Sequence, residues 1–160
     1  MAQEKLSTAQ WVLERQLAWV SNSEVKAGFI TTIDIAMLGG LAAAFTACTN
    51  RDAWAWLFTG AASLLLFIGV VCAAMTINPR LKGEVTKSLL YFGLIHKMTS
   101  ADYADQFKSA TDESLLADWL EQIHVNAKIA MLKHLWVKKA IMFSLAGAVP
   151  WVLAIAFLLQ

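Results

Sequence analysis

The chain has 160 residues, 58% of them hydrophobic and only 16% charged, with a mean hydropathy of +0.55. A soluble domain of this size, with roughly a quarter of its residues charged, cannot hide that much apolar surface. The composition excludes a disordered chain, a nucleic-acid tail, a disulfide scaffold and most soluble enzymes, and points to an all-α membrane protein. A formal charge of +1 leaves the partners open; where the charges fall is more informative.

Residues 1–26 carry Glu4, Lys5, Glu14, Arg15, Glu24 and Lys26, which interrupt any apolar run long enough for a signal peptide. An amphipathic amino-terminal helix is expected instead, with nothing cleaved. Leu13, Leu17, Val20 and Ala27 set a 4-3 pattern that runs into residues 27–47, the first expected span. Residues 53–77 and 140–159 form the second and third. These three segments hold 66 residues and a single ionisable side chain, Asp34. At about 1.5 Å per residue each is long enough to cross a hydrocarbon core of about 30 Å.

Lys and Arg number three in residues 1–26, one in the 48–52 link (Arg51) and nine in residues 78–139. The bias predicts the amino terminus and the 78–139 insert in the cytoplasm and the carboxyl terminus outside. Trp54, Trp56 and Trp151 suit the outer half of the bilayer. Cys48 and Cys72 fall at depths about 25–30 Å apart along antiparallel helices, too far to pair.

Asn78-Pro79-Arg80 marks the end of the second span, because proline disfavours a helical residue before it. Leu81, Val85, Leu89 and Phe92 predict an amphipathic helix to about Lys97. Thr99-Ser100-Ala101-Asp102 fits a capping box and starts a short helix to about Ala110, and Thr111 or Asp112 can cap the next. That next helix carries two seams, Leu116, Ile123, Ala130, Val137 and Leu120, Ala127, His134, Ile141, a spacing that indicates coiled-coil-like packing. With no breaker before the third span, residues 113–159 read as one helix roughly 70 Å long, which Pro150 can kink. The architecture expected is three transmembrane helices with a cytoplasmic helical bundle.

No Gly-rich phosphate loop, GxSxG or HExxH is present, and His96, His124 and His134 are too widely spaced for metal ligation on one helical face. No enzymatic activity, catalytic residue, cofactor, metal or nucleic-acid polymer is expected. Asp34 follows Thr31 and Thr32 inside the first span. A charge at that depth costs about 2.5–3.5 kcal/mol at the helix centre. It either lines or gates a path, with Thr31, or is held by Ser63, Ser144 or water. Gly39/Ala43, Gly40/Ala44, Gly69/Ala73 and Ser144/Ala148 allow close helix approach. His134 reads as a core histidine. Asn126 and Lys133 flank its stripe, where they can meet a base and a phosphate or form a solvated edge. Arg80, Lys82 and Lys87 suit anionic headgroups at about 1 kcal/mol each.

Ser23-Glu24-Val25-Lys26-Ala27-Gly28-Phe29 entering the first span, Asn78-Pro79-Arg80 after the second, Leu90-Tyr91-Phe92-Gly93, Tyr103, and Gln122-Ile123, Asn126, Ile129, Lys133 before the third resemble, in order and spacing, the motifs of the PycTM-type Pycsar effectors. The resemblance covers roughly residues 20–155. It implies an antiphage defence effector, activated by a cyclic nucleotide (cCMP, cUMP or a related signal), that impairs the inner membrane. A nucleotide's phosphate and flat base ask for a cation, an amide and an aromatic ring. Arg80, Tyr103, Asn126, Lys133 and His134 are therefore the expected ligand-binding residues. Three spans are too few to enclose a wide path, so a homo-oligomer in the lipid bilayer is expected, perturbing it as a pore or by disruption. A membrane scaffold with a coiled-coil platform, or a holin-like pore former, is the competing reading.

Overall fold

The computed structural model describes residues 2–78 and 87–159. Its elements are α1 (Ala2–Ala47), α2 (Ala53–Ile77), α3 (Phe92–Ile95), α4 (Ser100–Ser109) and α5 (Asp112–Leu158), with no strand among the described residues. Helices α1, α2 and α5 are long and apolar enough to cross a membrane. The amino-terminal segment and the first expected span are one helix, and α5 runs through Pro150. The chain divides into two compact units, Met1–Ser21 with Pro79–Met131, and Asn22–Asn78 with Leu132–Gln160.

The second unit holds α2 and the apolar stretches of α1 and α5. Its interior is built from small residues. Ala27, Cys72, Ala73, Val137 and Ala140 form one buried cluster, and Leu41, Ala55, Ala62, Ala154 and Leu158 another. Large side chains such as Phe29 (68% exposed) and Leu145 (67%) point outward. Lipid is as apolar as leucine, so burying a large side chain against protein gains little, and close backbone approach decides which face turns inward. Gly69 and Ala73 lie inside, whereas Gly39 and Ala43 are exposed. Beside Gly147, an added Cβ would lie 3.1 Å from the fully buried Leu66.

The 48–52 link closes both helix ends it joins. Asp52 accepts from the Ala55 amide (2.7 Å), capping α2, and Arg51 donates twice to the Phe45 carbonyl (3.1 and 2.8 Å), one of the last carbonyls of α1. Both cysteines are free thiols, Cys72 buried and Cys48 half-buried.

The first unit holds the start of α1, α3, α4 and the first half of α5. Thr99 caps α4, accepting from the Asp102 amide (3.2 Å) and donating to the Asp102 carboxylate (2.7 Å), and Thr111 caps α5 by accepting from the Ser114 amide. The helix expected to run to Lys97 is not seen over its described part. Residues 87–91 are non-helical and only Phe92–Ile95 forms a turn of helix. Ser88 accepts from the amides of Leu90 (3.0 Å) and Tyr91 (2.9 Å), and Asp118 accepts from the Leu89 amide (2.7 Å). Side chains thus take the amides that a helix would have used.

The α5 stripe is also turned relative to expectation. Leu116, Ile123 and Ala130 are only half-buried and Val137 is buried, but Leu120, Ala127, His134 and Ile141 are all exposed. Gln122, Lys133 and Ala140 are buried instead, and Trp119, Asn126 and Ile129, half-buried like Leu116, Ile123 and Ala130, fall on their seam at the same 4-3 spacing one position round. A polar side chain can occupy an interior seam when its donors and acceptors are matched there.

Candidate functional site

Two polar interiors stand out. The first lies in the first unit, around the 88–91 segment. Ser88 is buried, and besides its two amide bonds it accepts from the Gln122 side-chain amide (3.3 Å). Asn126 donates to the Gln122 carbonyl one turn back (2.8 Å). The Tyr103 hydroxyl donates to the Leu89 carbonyl (3.2 Å) and its ring lies 5.9 Å from Phe107. Asp118 spends one oxygen on the Leu89 amide. Its other oxygen, Oδ1, is buried with no hydrogen-bond partner among the described residues, and so is Gln16 Oε1. Gly93 leaves room for the end of the Tyr91 side chain. An added Cβ would lie 2.5–2.9 Å from the tyrosine ring and hydroxyl, so the aromatic and glycine positions of that motif form one packing unit.

The second lies in the second unit. Lys133 is buried and donates to the Glu24 carboxylate, an ion pair linking α5 to α1. Deeper in the apolar stretch, Asp34 is completely buried. Ser144 lies 2.7 Å from Asp34 Oδ2, while Oδ1 has no partner among the described residues. Gly69 of α2 closes the same node, since a Cβ there would stand 2.6 Å from Asp34 Oδ2 and 3.0 Å from Ser144 Oγ. Thr31 donates to its own helix at the Ala27 carbonyl (2.9 Å). Trp151, expected near the outer surface, ties α5 to α1 by donating to the Met37 carbonyl (2.8 Å).

Of the expected ligand residues, Tyr103 and Asn126 belong to the first unit, with the partners given above. Lys133 and His134 belong to the second: Lys133 is an interior ion-pair partner rather than a flank residue, and His134 is exposed rather than in a core. Arg80 lies outside the described residues, as do Lys82 and the start of the amphipathic helix expected there. For Asp34, Ser144 is the partner. Sequence reasoning missed Glu24, Ser88, Asp118 and Gly69 in these sites. Glu24 and Lys133 carried a usable signal, being opposite charges in two motifs that each lead into a span. Ser88 and Asp118 carried none, because their roles depend on a non-helical segment that apolar spacing disguises.

The fold and these two interiors define a membrane protein of three long apolar helices joined to a polar helical unit. The sequence matches the Pycsar effector protein domain (PycTM) across residues 8–160. The chain therefore belongs to the PycTM family of Pycsar effectors, membrane proteins of antiphage defence. It is 26% identical over 147 residues to a Pycsar effector protein of Propioniciclava tarda, covering 82% of this chain and 69% of that protein. It is likewise 26% identical over 91 residues to one of Staphylococcus aureus, covering 57% of this chain and 58% of that protein, less than two thirds of its length. No solved structure matches the chain.

Proposed function

We propose that this protein is a defence effector that a cyclic nucleotide activates and that then impairs the inner membrane as a homo-oligomer, by a pore or by disruption. The first unit is the cytoplasmic sensor, the carboxyl terminus faces outward, and the basic bias of residues 78–139 supports that orientation. The observation that carries the sensor reading is the buried polar interior around Ser88 and Gln122, built on family-motif residues and holding Asp118 Oδ1, an acceptor with no donor among the described residues; elsewhere in the same unit Gln16 Oε1 is in the same position. Such groups are costly to leave unmatched, and a nucleotide base or ribose offers the N–H or O–H they need. Tyr103 and Asn126 are the ligand residues nearest that chemistry. Arg80, Lys133 and His134 remain candidates for the phosphate, Lys133 only if Glu24 releases it.

A ligand moves such a protein only by binding one arrangement better than another. Helices α1 and α5 each contribute to both units without a break, so a change in the sensor has a covalent route to the spans. Asp34 and Thr31 are the pore or gating residues in this reading, and Asp34 is fully buried within the subunit. The exposed seam of Leu120, Ala127 and Ile141 is the surface offered to a second copy; the same seam would serve the scaffold reading. The test is purified full-length protein in liposomes. Cyclic CMP or cyclic UMP should raise its thermal stability and trigger loss of the membrane potential. Tight binding with no depolarisation would leave the scaffold reading ahead.

A further inference from the structure

We propose that the Asp34–Gly69–Ser144 node is a proton-carrying site, and that the proton is the species the activated effector moves across the bilayer. This rests on the reading above that the effector compromises the membrane. Among the described residues of the second unit, Asp34 and Lys133 are the buried side chains that carry a charge when ionised at neutral pH, and Lys133 is matched by Glu24. Asp34 is matched at one oxygen only among those residues.

The geometry around that oxygen suits a proton. The Ser144 hydroxyl has one hydrogen but two acceptors in reach, Asp34 Oδ2 at 2.7 Å and the Ala140 carbonyl at 2.9 Å. With a proton on Oδ2, the carboxyl donates to Ser144 and Ser144 donates to Ala140. Without it, Ser144 turns its hydrogen to Oδ2. The two states differ by one proton and by the direction of the Ser144 hydroxyl hydrogen, so the reorganisation between them is small, and heavy atoms move only when the carboxyl resets. Calcium and magnesium take six or more oxygens. The node supplies one carboxylate and one hydroxyl, so a proton fits it and a dehydrated divalent ion does not. Oδ1 is the receiving atom. One proton arrives there from water admitted on activation, and the proton on Oδ2 passes to Ser144 Oγ as Ser144 releases its own to water on the other side. One proton crosses and the pair is restored when the carboxyl rotates. Gly69 is a positioning residue, because a Cβ at 2.6 Å from Oδ2 and 3.0 Å from Ser144 Oγ would part the two oxygens.

The experiment uses full-length protein in liposomes holding either a trapped pH dye or trapped calcein, with cyclic CMP and cyclic UMP as probes. Nucleotide should start proton flux in the wild type while calcein stays inside. Asp34→Asn should cut that flux at least tenfold with nucleotide binding unchanged, Asp34→Glu should restore part of it, and Gly69→Ala should lower it severalfold. Proton flux in Asp34→Asn equal to wild type would overturn the proposal. Calcein release that is the same in wild type and Asp34→Asn would overturn it too, while leaving the membrane-damaging reading intact. Infrared difference spectra on changing pH separate the two questions. With nucleotide bound, so that water reaches Asp34, a carboxyl band that Asp34→Asn abolishes and Ser144→Ala shifts is expected, and its absence would overturn the proton site by itself.

Discussion

The two units bury their residues by different rules. In the first, the interior admits Gln16, Ser88 and Gln122 while Leu120 stands 55% exposed. In the second, small residues supply most of the interior beside Leu41, Leu66 and Leu158, while many large apolar side chains, Phe29 and Leu145 among them, face out. Water drives apolar groups together, so Leu120, outside in the first unit, is surface that the proposed self-association would cover. Lipid supplies no such drive, so outward leucines and phenylalanines in the second unit need no partner. The difference teaches that an interior polar group means different things in the two media. In the first unit it belongs to a network that shapes a segment. In the second, a buried charge-bearing group such as Lys133 or Asp34 has its cost met by a specific partner on another helix, Glu24 or Ser144.

The comparison is broken most directly at Ser88. Ser88→Ala removes the acceptor of two amides and of the Gln122 side chain. A loss of about 2–3 kcal/mol is expected, read as a fall in unfolding free energy by denaturant titration in micelles. In the other unit, Glu24→Ala leaves buried Lys133 unmatched and should cost about 2 kcal/mol, less than for a fully buried pair because Glu24 is partly exposed. Lys133→Met in that background should recover most of the loss, so a double-mutant cycle measures the coupling. An additive cycle would remove the ion pair from the account. Thr99→Ala should cost about 1 kcal/mol by loss of the α4 cap, with the change confined to amide exchange in 100–109.

The smallest effect sharpens the contrast between surfaces. Leu145→Ala on the outward face of the second unit should shift stability in bilayers by no more than about 0.5 kcal/mol, since the site is lipid-facing throughout. Leu120→Ala, equally outward in the first unit, should leave the monomer's stability unchanged yet weaken self-association, as seen by crosslinking at several protein concentrations. Equal, negligible effects of both would mean that the Leu120 seam is mere surface.

Composition and spacing alone established the helical class, the three long apolar helices, the break at Asn78, the Thr99 cap and the helix through residue 158, because these are properties of local chemistry. Low charge demands lipid, proline stops a helix, and a threonine side chain reaches the amides of the next turn. Motif order also reached the family. Tertiary structure alone decided which side of α5 turns inward, since Leu120 and Gln122 sit on neighbouring seams of equal spacing and the interior one is chosen by partners elsewhere in the chain. It decided that residues 87–91 leave the helix, because Asp118 lies 29 residues from the amide it binds. It decided, too, that Asp34 meets Ser144 rather than Ser63, 110 residues away, across a glycine whose only contribution is the room it leaves. Such pairings carry no periodic signal; they depend on which two helix faces come together, and no short stretch of sequence contains both.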